Sequence, residues 1–301
     1  MRREPVAPIA DRRALAIVNP AAGSGRAASL APRLARLLRD AGLRTDVVQL
    51  PLPGEGPRLA AEAAAEGYDT VIAVGGDGTA NEVANGLVGT RAALALFPMG
   101  SGNDFARALD YPGRARDLPA FLARGSRRTI DVGEANGRVF LNVAGVGIDG
   151  EVAERAKAHA RVIGSRLAYV TASVTSIGVY RPLQMSVRLD GEERSGRFLV
   201  AIASNGTHFG RGMRCAPAAR LDDGLLDVTL AGALGTLASL RALARLYKGT
   251  HVDGHSIVAS RARAVDIELE RTSAAEIDGD VVHVRRLALR VRPAALDVIA
   301  A

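Results

Sequence analysis

Thr70-Val71-Ile72-Ala73-Val74, running straight into Gly75-Gly76-Asp77-Gly78-Thr79-Ala80-Asn81, is the stretch that decides the fold. An apolar run without polar alternation predicts a strand covered on both faces, as in parallel sheets. It stops in glycines and a carboxylate, and a helix follows over 81–87. The same succession lies on either side. Ala14 to Asn19 (ALAIVN) predicts a strand ending at Pro20, with Gly23-Ser24-Gly25 as a flexible turn. A helix over 28–41 follows, with Leu30, Leu34, Leu37 and Leu38 at helical spacing and Gly42 as its stop. Thr45 to Leu50 predicts a strand and Arg58 to Glu66 an Ala-rich helix. Ala92 to Phe97 is a strand ended by Pro98, after which Gly100-Ser101-Gly102-Asn103-Asp104 leads into a helix near Phe105. Strand, glycine turn and helix, three times over, predict an open α/β sheet whose ligand sites lie beyond the carboxyl ends of its strands.

Glycines let backbone N–H groups approach a phosphate closely, and a helix N-terminus behind the turn adds a favourable dipole. Three such turns on one sheet edge can hold a polyphosphate, although each alone reads equally as a tight turn. A carboxylate beside phosphate, as at Asp77, is repulsive unless it serves a metal or takes a proton from a nucleophile. A P-loop kinase is excluded, because neither Lys157 nor Lys248 lies in a glycine loop. Gly145, Gly147 and Gly150 satisfy G-x-G-x-x-G, but no clear second strand and acidic residue follow, so a dinucleotide fold is disfavoured.

From Thr129 the texture changes. Asn136-Gly137 and Asp190-Gly191 are hairpin signals between alternating residues. Short strands are expected at 199–203, 226–230, 265–269, 281–284 and 287–291, with helices at about 151–179 and 237–248. Many short strands with turn signals predict an antiparallel sandwich. The expected organisation is an α/β domain over 1–129 and a β-sandwich domain over 130–291.

The chain has 301 residues, 48% hydrophobic and 24% charged, enough for two cored domains. All but two of its 39 Lys and Arg residues are arginines, against 32 Asp and Glu, for a net charge of +7. That balance admits an anionic partner: nucleic acid, membrane or phosphorylated substrate. Few aromatics, no Trp and scattered arginines argue against a nucleic-acid partner that binds by stacking. No apolar stretch approaches the roughly 18 residues of a membrane span, and Met1 to Arg13 lacks the apolar centre of a secretory leader. A cytoplasmic protein is expected. Cys215 lacks a nearby base and reads as packing. His208, His251, His255 and His283 form no spaced metal set and read as surface or locally hydrogen-bonded groups.

Asn19-Pro20-Ala21-Ala22-Gly23-Ser24-Gly25, Val74 to Leu87 (VGGDGTANEVANGL) and Pro98 to Arg107 (PMGSGNDFAR) together resemble the bacterial diacylglycerol kinase and lipid kinase family, to which sphingosine and ceramide kinases are related. The likeness continues through Asn142 to Gly150, Ser204 to Pro217, Leu221 to Asp227 and Ile277 to Asp280. The resemblance implies an N-terminal α/β domain like those of NAD kinases and phosphofructokinases, which binds ATP with Mg²⁺, and a C-terminal β-sandwich for lipid. It implies that the last residues, about 292–301, return to the first domain. Nucleotide contacts carry over to Asn19, Pro20, Ala21, Ala22 and Gly23, to Gly75, Gly76, Asp77, Gly78, Thr79, Ala80 and Asn81, and to Ser101. Where the family often has a threonine at the end of the second strand, Leu50 stands here.

Asp222-Asp223-Gly224 reads alone as a hairpin turn; the resemblance implies a structural Mg²⁺ held by Asp223 with the carbonyls of Arg220 and Leu225. Ile277-Asp278-Gly279-Asp280 reads alone as a turn between strands; the family's D-G-E block there carries the general base, with Asp280 in place of the glutamate. Asp278 is placed first as base, then Asp280, with Asp77 as alternative base or Mg²⁺ partner. The implied activity is transfer of the γ-phosphate of ATP to a lipid hydroxyl, diacylglycerol by default. Another lipid, a soluble substrate such as NAD, and a non-catalytic basic membrane-binding role are the alternatives. The lipid would be met at a membrane surface by a peripherally associated protein, with Arg155, Lys157, Arg161 and Arg166 facing headgroups. Relatives are often dimers, which keeps a homodimer open.

Overall fold

A computed structural model describes residues 13–112, 114–163 and 165–300, with side chains at all of these except 160–163 and 165–167. The N-terminal stretch read as lacking a leader therefore lies outside the described residues, apart from Arg13. The chain divides into two compact units, Met1–Asp131 with Ala294–Ala301, and Val132–Pro293.

The first unit alternates β1 (Arg13–Val18), α1 (Arg26–Asp40), β2 (Arg44–Gln49), α2 (Gly56–Ala65), β3 (Thr70–Gly75), α3 (Asp77–Leu87), β4 (Ala93–Pro98), α4 (Asp104–Ala108) and α5 (Leu118–Arg124). The strands lie in the order β2-β1-β3-β4, all parallel. The chain's last residues add a further parallel strand, with Val298 opposite Leu94. Every residue of β3 is buried, as expected for a central parallel strand, whereas β2 at the edge alternates with solvent. Because β1 has β2 on one side and β3 on the other, the chain reverses its winding there. The crevice of such a sheet opens where strand order switches, beyond the ends of β1 and β3. On α1 the apolar face turns out to be Ala27, Ala31, Leu34 and Leu38; Leu37 points to solvent. Helix α3 begins at Asp77, earlier than its apolar spacing indicates, because Gly76 caps it and the carboxylate favours its first turn.

The second unit is antiparallel. It comprises β5 (Ser126–Ala135, which begins in the first unit), β6 (Arg138–Phe140), β7 (Val143–Gly147), α6 (Ile148–Ile163), α7 (Ser165–Val179), β8 (Leu183–Leu189), β9 (Glu192–Ser204), β10 (Leu226–Gly232), α8 (Thr236–Leu246), β11 (Ile257–Ala262), β12 (Ala264–Ile277) and β13 (Asp280–Ala300). Strand order runs β11-β10-β9-β7-β12-β13, with β8 pairing both β9 and β12. Strand β7 is antiparallel to both neighbours, so Gly145, Gly147 and Gly150 belong to no βαβ unit. Asn136-Gly137, Asp190-Gly191 and Asp278-Gly279 all have positive φ at both residues, the signature of tight two-residue hairpins. The expected short strands at 281–284 and 287–291 are one strand, and β11 went unread. Inward residues of these strands, among them Phe140, Val187, Leu226, Val265 and Leu287, form one buried core. A second cluster joins the other face of β7 and β9 to α6 and α7. Among the described residues no helix is long and apolar enough to cross a membrane.

Candidate active site

In the first unit the three glycine turns meet. The Asn19 N–H donates to the Val74 carbonyl at 3.0 Å, and its amide Nδ2 to Thr79 Oγ1 at 3.0 Å. Asn19 Oδ1 accepts the Ala21 N–H, which folds Pro20, Ala21 and Ala22 back over the strand end. The Met99 N–H donates to the Gly75 carbonyl at 2.7 Å. A Cβ built on Gly23 would lie 3.1 Å from the Met99 carbonyl oxygen. A Cβ on Gly100 would lie 2.5 Å from the Gly76 Cα, and one on Gly76 3.2 Å from the Gly100 Cα, so these two turns touch backbone to backbone and Gly100 has no room for a side chain. Asn103 closes the third turn on itself, its Oδ1 accepting the Gly100 N–H and its Nδ2 donating to the Gly100 carbonyl. Ser101 stands exposed on that turn, while Ala80 and Asn81 are buried in α3.

Asp77 occupies the first turn of α3, and its Oδ1 accepts the Phe105 N–H at 3.2 Å. Burial first, then the neighbouring Asp104 carboxylate, raises its pKa above the usual range, against lowering by backbone N–H donors of residues 103–105. Asp104, itself buried, is paired with Arg107. Asp104, to which no sequence motif points by itself, is the first residue of α4, at the end of the Gly100 to Asp104 block. Carboxylates are the donors Mg²⁺ takes, one or two with waters and phosphate oxygens, whereas the backbone N–H groups here suit the phosphate. Among the described residues no three His, Cys, Asp or Glu gather at one point, so carbonyls, water and substrate would complete any such shell.

The remaining candidates lie in the second unit. Asp278 sits at the β12–β13 hairpin turn, and its carboxylate accepts the N–H groups of Leu141 at 2.6 Å, Asn142 at 2.9 Å and Val143 at 3.0 Å. Its own N–H donates to the Val143 carbonyl at 3.0 Å. That carboxylate holds a hairpin turn against the segment leading into β7. Asp280 is half-exposed and paired with Arg138 and, at 3.3 Å, with Lys157. Burial raises its pKa, but Arg138 and Lys157 outweigh that and hold the carboxyl below the usual range. Arg155 is likewise paired, with Glu151, so two of the four cations expected to face headgroups have carboxylate partners; Arg161 and Arg166 lie outside the described side chains.

At the 220–225 turn, Asp223 Oδ1 accepts the Leu225 N–H at 3.2 Å and Oδ2 lies 3.8 Å from Arg261. Arg220 turns its guanidinium to Asp222. Asp227, also paired with Arg261, keeps a buried Oδ2 without a hydrogen bond, and burial raises its pKa. Asp223 and Asp227 thus share Arg261 as their cationic partner, and one carboxylate oxygen of Asp227 is left over.

A cavity of about 120 Å³, the part the sequence did not disclose, lies within the second unit. Helices α6, α7 and α8 and strands β9 and β10 line it, with Val152, Tyr169, Ile202, Phe209, Met213 and Leu243 among its apolar walls. Cys215 lines it and packs in the adjoining cluster. Asp149 and His251 also line it. Asp149 Oδ1 is buried without a hydrogen bond among the described residues, and His251 is buried beside the Cys215 backbone. His251 is thus not a surface histidine; burial lowers its pKa, against a raising contact with the Cys215 backbone. Burial pushes the Asp149 carboxyl up to about 7.

A parallel sheet with converging glycine turns, carried in one chain with an antiparallel domain that contains an apolar cavity, is the equipment of a kinase for an apolar substrate. Residues 13–135 match the diacylglycerol kinase catalytic domain, and residues 142–300 the YegS C-terminal NAD kinase beta sandwich-like domain. The chain belongs to the family of diacylglycerol kinases and YegS-like lipid kinases. It is 32% identical over 294 residues to a protein of Mycobacterium tuberculosis named diacylglycerol kinase, covering 94% of each chain. It is 35% identical over 256 residues to a Pseudomonas aeruginosa protein named "Probable lipid kinase YegS-like", covering 81% of each. The crystal structure of a diacylglycerol kinase from Bacillus anthracis shares the fold, with a TM-score of 0.76 at 23% identity over 96% of this chain and 97% of that one.

Proposed function

We propose that this lipid kinase transfers the γ-phosphate of ATP to the hydroxyl of diacylglycerol, giving phosphatidic acid. The observation that carries the reading is the match of a diacylglycerol kinase catalytic domain to the unit whose three turns converge. Relatives named diacylglycerol kinase, from Bacillus subtilis at 28% identity over 275 residues and from Mycobacterium tuberculosis, support the acceptor.

In this reading Asn19 through Gly23, Gly75 through Asn81 and Ser101 bind the nucleotide, with Gly76 and Gly100 admitting phosphate to the backbone. Asp77, with Asp104 beside it, would hold Mg²⁺, and Asp223, with the carbonyls of Arg220 and Leu225 and the carboxylate of Asp227, a structural Mg²⁺. The first would offset phosphate charge, the main need of phosphoryl transfer. Of the three carboxylates read as a base, Asp278 is filled with backbone N–H groups, so we place Asp280 first as acceptor of the lipid hydroxyl's proton, with Asp77 the alternative. The cations flanking Asp280 keep it ionised at neutral pH. The apolar cavity takes up the acyl portion. Peripheral membrane contact belongs to the same reading, since the acceptor resides in bilayers.

Labelled ATP, Mg²⁺ and a panel of diacylglycerol, ceramide, sphingosine, monoacylglycerol and NAD, with products identified by mass spectrometry, test it. Phosphatidic acid as the main product is expected. Label in another lipid would reassign the acceptor, and label in none would end the proposal.

A further inference from the structure

Helix α7 presents an unusual outer face. Its exposed positions include Val170, Thr171, Val174, Thr175, Gly178 and Val179, and no charged residue occurs from Leu167 to Val179. Val174 is 47% and Val179 61% exposed. A helix bathed in water normally sets charged or polar residues outward. One of the two hydroxyls on this face is turned inward: Thr175 Oγ1 donates to the Thr171 carbonyl at 2.8 Å and lies 3.2 Å from that of Ala172. Such a hydroxyl loses little on leaving water, because its hydrogen bond goes with it.

Helix α8 packs beside α7. It exposes Leu237, at 61%, and Leu240 together with Arg241, Arg245 and the following Lys248. Neither helix contains an acidic residue, and among the described residues none of these three cations makes an ion pair. Apolar side chains interleaved with unpaired cations are the pattern of a helix lying in a bilayer interface. At 15 and 11 residues the helices are too short to span one. Their other faces, through Tyr169, Ser173 and Ile177 of α7 and Ala242, Leu243 and Leu246 of α8, line the apolar cavity.

We propose that the outer faces of α7 and α8 seat this protein on an anionic phospholipid bilayer, with Val170, Val174, Leu237 and Leu240 entering the acyl boundary and Arg241, Arg245 and Lys248 meeting headgroup phosphates. This moves membrane contact away from α6, where Arg155 and Lys157 are paired with Glu151 and Asp280.

The test is co-sedimentation of the full chain with phosphatidylcholine vesicles containing about one-third phosphatidylglycerol, without ATP or diacylglycerol. It therefore stands whatever the kinase assay shows. Val170→Glu/Val174→Glu and Leu237→Glu/Leu240→Glu should each weaken partitioning about tenfold or more. Arg241→Gln/Arg245→Gln/Lys248→Gln should lower it on anionic vesicles and flatten its salt dependence. Leu52→Glu, an exposed site in the first unit, should change nothing. Unchanged melting temperatures show that the variants fold. Absent binding by the unaltered chain, or binding indifferent to these substitutions, would overturn the proposal. So would variants that turn a dimer into a monomer while vesicle binding persists, since the face would then be a subunit contact.

Discussion

Asp77 Oδ1 accepts the backbone N–H of Phe105, so one carboxylate ties the first turn of α3 to the first turn of α4. An Asn at this position keeps the acceptor and loses the charge. Burial and Asp104 raise the pKa of Asp77, so its contribution to stability is largest at low pH and is lost as pH rises through the folded value. Asp77→Asn should therefore melt at or above the parent temperature at neutral pH, while phosphoryl transfer falls about 100-fold or more. Nucleotide-induced thermal stabilisation with Mg²⁺ should shrink in the same variant. A variant that is both less stable and fully active would contradict this assignment.

Asp278 and Asp280 should separate into a structural and a functional phenotype. Removing three acceptor bonds with Asp278→Ala strands backbone donors at a hairpin, a loss on the order of 3 kcal/mol. Asp280→Asn keeps the shape of a half-exposed side chain, so the melting temperature should barely move while kcat drops by roughly 100-fold or more. Denaturant titration beside steady-state kinetics reads both.

Asp149 predicts a loss of stability between acid and neutral pH. Its carboxyl is raised by burial to about 7. The stability it contributes is full below the ordinary carboxylate range, near pH 4, and declines as pH rises through 7, by about 4 kcal/mol in all. Asp149→Asn should flatten this, gaining on the parent as pH rises from 5 to about 8. Parallel melting curves across that range would show the carboxyl to be ordinary.

Gly100→Ala tests the contact between turns. The added carbon would meet the Gly76 Cα at 2.5 Å, and the backbone must give way. Overpacking of this kind costs about 1–3 kcal/mol, and displacement of the turns should weaken nucleotide binding more than lipid binding. Calorimetric titration with ATP, beside the vesicle assay, separates the two losses.

The first unit was readable in the sequence because its strands are buried on both faces and its turns need glycine for close approach; β3 and the Gly75 to Asn81 turn show both at once. The hairpins at Asn136-Gly137 and Asp190-Gly191 were readable because two successive positive φ angles demand such residues. Strand β13 was harder, since the exposed Arg285 and Arg286 interrupt its apolar alternation, which only pairing with β12 sustains. The cavity was not readable at all. Its walls run from Ile148 to Ile257, and no local pattern marks residues that become neighbours only through folding. The turn at Asp278 stands between these cases. Its hairpin was evident, but the grip on Leu141, Asn142 and Val143 depends on a segment more than a hundred residues earlier.

The parallel pairing of Val298 with Leu94 has a consequence for biosynthesis. The Ile299 carbonyl also accepts the hydroxyl of Tyr111, so the first unit draws a strand and a buried hydrogen bond from residues that begin about 160 positions after the rest of it. As the chain emerges from the ribosome, β4 waits with an unfilled edge through translation of the whole second unit. The unit with the glycine turns is therefore finished last, although its motifs are made first, and a nascent chain halted before residue 294 would hold every glycine turn in an incomplete sheet.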